Sequence, residues 1–305
     1  MSIEAGVESH TIGDLPDWGR ACVEELMSTL LLEKSFPCTF AIAAAKKKSL
    51  RFGFIDSAKD PSRWGALPDI LNEYLRVYQD IDRDTSLVVF FRPEEEPASL
   101  SSYFSRFWEV LQYLHQYLHQ KDTLPWPGDI PEDPGETLWE FSFADTPIFV
   151  VCNTPAHTRR RSRHSSGMVI TFQPRWVFEG LEPGAPRGDA ARRVIRKRIR
   201  RFDGMEPAPQ LGDYGDEGNR EWKQYFLPDT NEEEIHGCPF HRKARWDRSV
   251  QQVVVNGRRE YSLWPDGRDL PAGWRHAGVR GDRRTCLDHI ERIWTDMRPA
   301  ARAAG

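Results

Sequence analysis

The chain lacks any closely spaced cysteine pair: its five cysteines, Cys22, Cys38, Cys152, Cys238 and Cys286, are odd in number and widely separated. That pattern argues against a disulfide framework and offers no structural zinc site. Long apolar runs are missing too, and nothing approaches the roughly 20 residues needed to cross a bilayer. Residues 1–15 are acidic and polar, without the charged-then-apolar order of a secretory leader, so the cytosol is the expected compartment. There is no excess of positive charge. The formal net charge of -4 argues against a dedicated nucleic-acid binder, while leaving room for a local basic patch. Internal repeats and low-complexity tracts are absent. Aromatic residues, by contrast, are plentiful: 16 Phe, 11 Trp and 8 Tyr can furnish a sizeable core. A length of 305 residues suits one large domain plus a small one.

Periodicity supplies the elements. A helix is predicted over residues 14–34, where Cys22, Val23, Leu26, Leu30 and Leu31 recur at helical spacing. Residues 36–40 and 49–55 read as short strands around a lysine-rich loop, residues 68–79 as a helix, and residues 85–91 as a buried strand. A long amphipathic helix is expected over 99–120. Strands follow at 138–143, 147–152 and 168–172, then a basic helix at 187–201. Interleaved strands and helices make this an α/β or α+β domain, a mixed sheet flanked by helices. Composition shifts near 236–240, which divides the chain into a large domain, 1–240, and a small one, 242–305. In the latter, strands at 253–256 and 260–264, a turn-and-edge segment at 271–274 and a helix at 285–297 suggest a three-stranded sheet with one helix.

The wording of the small domain is specific. Ser262-Leu263-Trp264-Pro265, Pro271-Ala272-Gly273-Trp274, Leu287 and a terminal Trp294-Thr295-Asp296-Met297-Arg298-Pro299 closely resemble the MbtH-like signature, spacings included. The resemblance implies a partner, the adenylation domain of a non-ribosomal peptide synthetase. It places Ser262, Trp264 and Trp274 at that interface, the two indoles gripping a small side chain, as rigid aromatic anchors do. Arg258 and Glu260 depart from the family's usual residues before the Ser, which bears on partner choice. Composition alone would make all three tryptophans core residues, and Trp294 is assigned to the core.

In the large domain the most distinctive string runs Cys152-Asn153-Thr154-Pro155-Ala156-His157, then Arg159, Arg160, Arg161, Ser162 and Arg163, with Arg175 further on. Guanidinium forks suit carboxylates, so this string reads as an anion site or, more plainly, as a solvated basic loop. Together with Phe36-Pro37-Cys38-Thr39-Phe40, Phe107-Trp108, residues 138–143, Phe172-Gln173-Pro174-Arg175, residues 219–226 and Cys238-Pro239-Phe240, it resembles the YqcI/YcgG family over about residues 20–240. Several members of that family are haem-dependent N-oxygenases acting on the side-chain nitrogen of an amino acid such as arginine or lysine.

The resemblance implies haem b as cofactor, with O2 and an external redox partner. Haem iron needs a Cys, His, Tyr or Met ligand, and thiolate best promotes O–O cleavage. The candidates are Cys238, whose neighbours His241, Arg242 and Lys243 would favour a thiolate, then His157, Cys38 and His115. His115 and His119, spaced i, i+4, would alternatively suit a non-haem metal. Arg159, Arg161, Arg163 and Arg175 are the candidates for haem propionates or a substrate carboxylate, and Glu140, Asp216 and Glu221 for a substrate amine. The chain thus reads as an N-oxygenase of an amino acid such as Lys, Arg or ornithine fused to an adenylation-domain chaperone. A homodimer is compatible with it. A non-catalytic synthetase regulator and a non-haem iron oxygenase are the competing readings, and nucleic-acid binding through the basic segments is a third.

Overall fold

The computed structural model describes residues 4–121, 126–181, 184–213, 217–233, 237–240, 250–281 and 283–294. The chain divides into two compact units, Met1–His241 and Arg242–Gly305. The first contains helices α1 (Glu4–Val7), α2 (Asp17–Leu32), α3 (Thr39–Lys47), α4 (Leu67–Ile81), α5 (Leu100–Lys121), α6 (Pro186–Asp203) and α7 (Trp222–Tyr225). Its strands are β1 (Leu50–Ile55), β2 (Ser86–Phe91), β3 (Ser142–Phe143), β4 (Thr146–Asn153) and β5 (Val169–Pro174). They form one mixed sheet in the order β1-β2-β5-β4-β3, with β1 parallel to β2 and the remaining pairs antiparallel. The parallel pair is linked through α4, since parallel neighbours need a crossover connection.

Alternation along the strands decides what each face meets. Leu87 and Val89 of β2, Ile170 and Phe172 of β5, and Ile148 and Val150 of β4 enter the main core with α4 and α5. Residues of the opposite parity, among them Leu50, Phe52, Phe54, Val88, Phe90 and Val169, pack with α2 and α3. Two glycines let helices approach β1 from either side. A Cβ on Gly19 of α2 would lie 2.6 Å from the Phe54 ring, and one on Gly53 would lie 2.7 Å from Ile70 of α4.

Two predicted strands take another form. Residues 36–40 do not extend; the chain turns there and Cys38 becomes the N-cap of α3, its Sγ accepting from the Ala41 N–H at 3.4 Å. The alanine-rich run that follows has strong helix propensity and outweighs the β preference of Thr39 and Phe40. Lys46 and Lys47 occupy the last turn of α3, where cations oppose the helix dipole, and Lys48 ends it in the left-handed region at φ 57°. Residues 138–143 yield only the two-residue β3. Trp139 to Phe143 are buried consecutively rather than alternately, so the segment passes through the core instead of lying along it. Ala144 and Asp145, both at positive φ, make the tight turn into β4.

The second unit is a three-stranded antiparallel sheet, β7-β6-β8, with helix α8 (Arg283–Ile293). Its strands are β6 (Gln251–Asn256), β7 (Tyr261–Pro265) and β8 (Trp274–Gly281). Val253, Cys286 and Ile290 form its core, with Tyr261, Leu263 and Trp294 packed against them. Trp294 is therefore a packing residue; residues 295–299 of the terminal signature lie outside the described residues. Among the described residues no helix is long and apolar enough to cross a membrane.

Candidate functional site

On the sheet face that α2 and α3 only partly cover, a cavity of about 600 Å3 opens. Its floor is one parity of the strands, including Val88, Phe90, Phe149, Val151, Val169 and Thr171. Leu26 and Leu30 of α2, Phe36, Phe40, and Ile195 and Ile199 of α6 supply apolar walls. The floor carries polar groups as well: Asn153, Thr171 and Gln173 point from β4 and β5 into a space that would otherwise be ordinary core.

Cys38 lines this cavity. Protein surrounds it, yet its side chain keeps accessible surface, as expected of a group facing an internal space. Burial pushes the thiol pKa up, while the N–H groups of Ala41 and Phe40 and the charge of Arg163 pull it down. The first turn of a helix presents unpaired N–H groups to the sulfur, a setting that stabilises thiolate over thiol once an electrophile or metal binds. Of the four predicted axial candidates, Cys38 is the one that the cavity lining includes.

The others are placed elsewhere. Cys238 packs against the main core, and burial pushes its thiol up to about 12; its basic neighbours 241–243 lie outside the described residues. His115 is buried in α5 against Trp126 and Phe240, and the His119 side chain is outside the described set. Among the described residues no group of three or more His, Cys, Asp or Glu could hold a metal ion. His157 is fully buried with both ring nitrogens engaged: Nε2 donates to the Leu227 carbonyl at 2.8 Å, so Nδ1 accepts from the Thr154 hydroxyl at 2.9 Å. To ligate iron it would have to surrender one of these bonds.

Desolvation lowers the His157 pKa to about 4, against the pull of the Leu227 carbonyl. Between an unfolded value near 6.5 and this folded one, the unfolded chain binds a proton that the folded chain refuses. Stability is therefore expected to fall as pH drops from 6.5 to 4, by about 3 kcal/mol in total. Denaturant titrations across that range should show the loss, and His157→Gln should flatten it.

The loop from 154 to 164 is pinned from outside its own sequence. The Asp229 carboxylate accepts from the backbone N–H groups of Thr158, Arg159 and Arg160 at 2.8–3.2 Å. Burial opposes the charge, yet these bonds hold the Asp229 pKa below its ordinary value. The pinned loop turns consecutive arginines in different directions. Arg159 is exposed, and Arg161 is exposed over the Phe202 ring. Arg160 is fully buried, donating to Pro228 O at 2.6 Å and Asn231 Oδ1 at 2.8 Å, and its Nη1 finds no acceptor. Arg163 also lines the cavity, and no hydrogen bond or ion pair among the described residues meets its guanidinium. Desolvation and the neighbouring Arg160 lower its pKa to about 10, which leaves it cationic at neutral pH. Two cations thus reach the cavity without a direct ion pair to a described residue, with Asp203 acting on both only at longer range. Arg160 was not singled out in the sequence, where it is indistinguishable from its neighbours.

Arg175 lines the cavity at the other end of β5, about 20 Å along the strand from Val169. It pairs with the fully buried Glu140 and, at 3.3 Å, with Glu221. Two carboxyls facing one guanidinium leave an excess of negative charge. Burial and the opposed Glu140 accordingly raise the Glu221 pKa well above the usual carboxylate range. Glu140 Oε1 has no other donor, so a proton retained on Glu221 satisfies it. Glu221 itself lines the cavity; Asp216 lies outside the described residues.

The sequence profile of the YqcI/YcgG family matches residues 26–241, most of the unit that contains this cavity. The chain belongs to the YqcI/YcgG family. It is 39% identical over 231 residues to "Uncharacterized protein YcgG" of Bacillus subtilis (strain 168), covering 74% of this chain and 89% of that one. It is 36% identical over 242 residues to the Streptomyces lavendulae protein named "Putative N(omega)-hydroxy-L-arginine synthase DcsA", covering 77% of this chain and 88% of that one. The MbtH-like protein profile matches residues 244–305, so this YqcI/YcgG family member carries an MbtH-like domain as well. On the second unit, Ser262, Trp264 and Trp274 pair directly with Val254, Gln252 and Asn256 of β6. Opposed residues of antiparallel strands share a face, which puts all three on the side of the sheet away from Val253 and Cys286. Ser262 is exposed and both indoles are half-buried.

Proposed function

We propose that the large unit is a haem-dependent N-oxygenase of a cationic amino acid, arginine foremost, and that the MbtH-like unit binds an adenylation domain of a non-ribosomal peptide synthetase. One observation carries the first part: a cysteine at a helix N-terminus facing an apolar cavity, with Arg160 and Arg163 at the same cavity making no direct ion pair with a described residue. These residues fit haem. The Cys38 sulfur, cradled by backbone N–H groups, would hold the iron, and the two arginines would pair with the propionates. Bound there, haem would supply the iron that activates O2.

The rest of the reaction falls to the chain's own groups. Leu26, Leu30, Ile195 and Ile199 exclude water from the cavity, which strengthens every electrostatic contact inside it. Arg175 is already taken up by Glu140 and Glu221, and Glu221 holds a proton at the cavity wall. The relative DcsA, by its name, motivates the choice of arginine. The test is to load the full chain with haemin and supply O2, a reductant and arginine, lysine or ornithine in turn. Gain of one oxygen atom in the product mass is expected with at least one of them. Haem-loaded protein that oxidises none would overturn the reading.

For the MbtH-like unit, Trp264→Ala and Trp274→Ala are each expected to weaken capture of a cognate adenylation domain by at least 2 kcal/mol, the scale of an aromatic hot spot. Co-purification and thermal melting check this: capture should be lost while the melting temperature stays close to wild type.

A further inference from the structure

Helix α6 has two unlike sides. Gly188, Ala191, Ile195 and Ile199 wall the cavity, whereas the outer side is charged. Eight of its 18 residues are Arg or Lys and two are acidic, in a chain whose net charge is -4. Several of the cations are used internally. Arg192 pairs with Asp189 and Asp213, Arg200 with Glu206, and Arg198 donates to the Phe36 carbonyl. Arg193, Lys197 and Arg201 are different: all three are exposed and none makes an ion pair or hydrogen bond with a described residue. Spaced i, i+4 and i+8, they form one stripe about 12 Å long. Like charges at that spacing destabilise a helix, so the stripe works against the element that carries it. Val194, 44% exposed, lies beside it as an apolar contact point.

We infer that this face of α6 docks an acidic one-electron carrier protein of the iron–sulfur or flavin class. The inference rests on the N-oxygenase reading and says how its electrons arrive. Forming a hydroxylamine from an amine nitrogen inserts one oxygen atom of O2; the other leaves as water, and this takes up two electrons and two protons. No described group of the chain supplies those electrons, so a reductant must approach the cavity from outside. The stripe sits one helix diameter, about 10–12 Å, from the cavity wall. A row of unpaired cations beside a small apolar contact complements the acidic surface of such a carrier and steers its encounter. Nucleic acid, the other polyanion, fits a short stripe on a net-negative chain less well.

The test uses the full chain and a plant-type ferredoxin as probe. Reversing the stripe with Arg193→Glu, Lys197→Glu and Arg201→Glu is expected to raise the ferredoxin Kd about tenfold or more and to flatten its salt dependence. Ferredoxin-driven turnover should fall in parallel, while turnover driven by dithionite stays at the wild-type level. A neutral variant with glutamine at the same three positions should be intermediate, with an unchanged melting temperature. Unaltered ferredoxin affinity in both variants overturns the inference, as does stripe-dependent retention of duplex DNA without ferredoxin binding. Stripe-dependent ferredoxin binding by a chain that oxidises no amino acid would instead leave the docking face standing and reject the oxygenase.

Discussion

Replacing Cys38 with alanine is expected to abolish the thiolate signature of the haem-loaded protein and to reduce haem retention to a small fraction of wild type. The physical reason is local. Sγ lies where the N–H groups of Ala41 and Phe40 converge and where Arg163 adds positive charge, and it lies on the cavity. Cys38→Ser keeps a capping oxygen on α3 but not a soft ligand. It should therefore fold as well as wild type and still show an altered haem spectrum. Cys238→Ala and His157→Gln should leave the axial signature in place, because one packs into the core and the other has both nitrogens committed. Absorption and magnetic circular dichroism spectra of the four variants separate these outcomes. A wild-type signature in Cys38→Ala would reassign the ligand.

Arg175→Met is expected to destabilise the large unit by about 3–5 kcal/mol at pH 7, because removing the cation strands the buried Glu140 carboxylate beside a Glu221 that already holds a proton. Glu140 is fully buried and Glu221 nearly so, which leaves little solvent to screen the charge. Adding Glu140→Gln to Arg175→Met should recover a large part of the loss, since the uncompensated charge disappears. Urea titrations of the two single variants and the double variant give the coupling directly. If the losses of the single variants simply add, the three groups do not act as a unit.

Much of this architecture was legible from periodicity. The strands β1, β2, β4 and β5 and helices α2, α4, α5 and α6 follow from apolar spacing, and the MbtH-like motif set out the small unit. The segment from 36 to 40 misled because two β-prone residues precede an alanine run, and the cap that decides between them involves sulfur, an uncommon capping atom. The candidate site was half legible. Cys38, Arg163 and Arg175 stood among the candidates, but Cys238, His157, Arg159 and Arg161 were chemically equivalent in the sequence. What separates them is non-local. The Asp229 carboxylate that orients the arginine loop lies 69 residues beyond Arg160, and the Leu227 carbonyl that occupies His157 lies 70 residues beyond it. One signal was available: Thr171 and Gln173 on one face of β5, followed at the same period of two by Arg175 just past its end, make a polar row where a buried sheet should be apolar.

The proposed oxygenase requires that the space between the sheet and helices α2, α3 and α6 accept haem. Titrating the purified full-length chain with haemin, and following absorbance to saturation, tests it most directly. One haem bound per chain is expected, with binding weakened when Arg160 and Arg163 are both changed to methionine. A folded chain that shows no saturable uptake, or takes up haemin equally well without those two cations and Cys38, would contradict it.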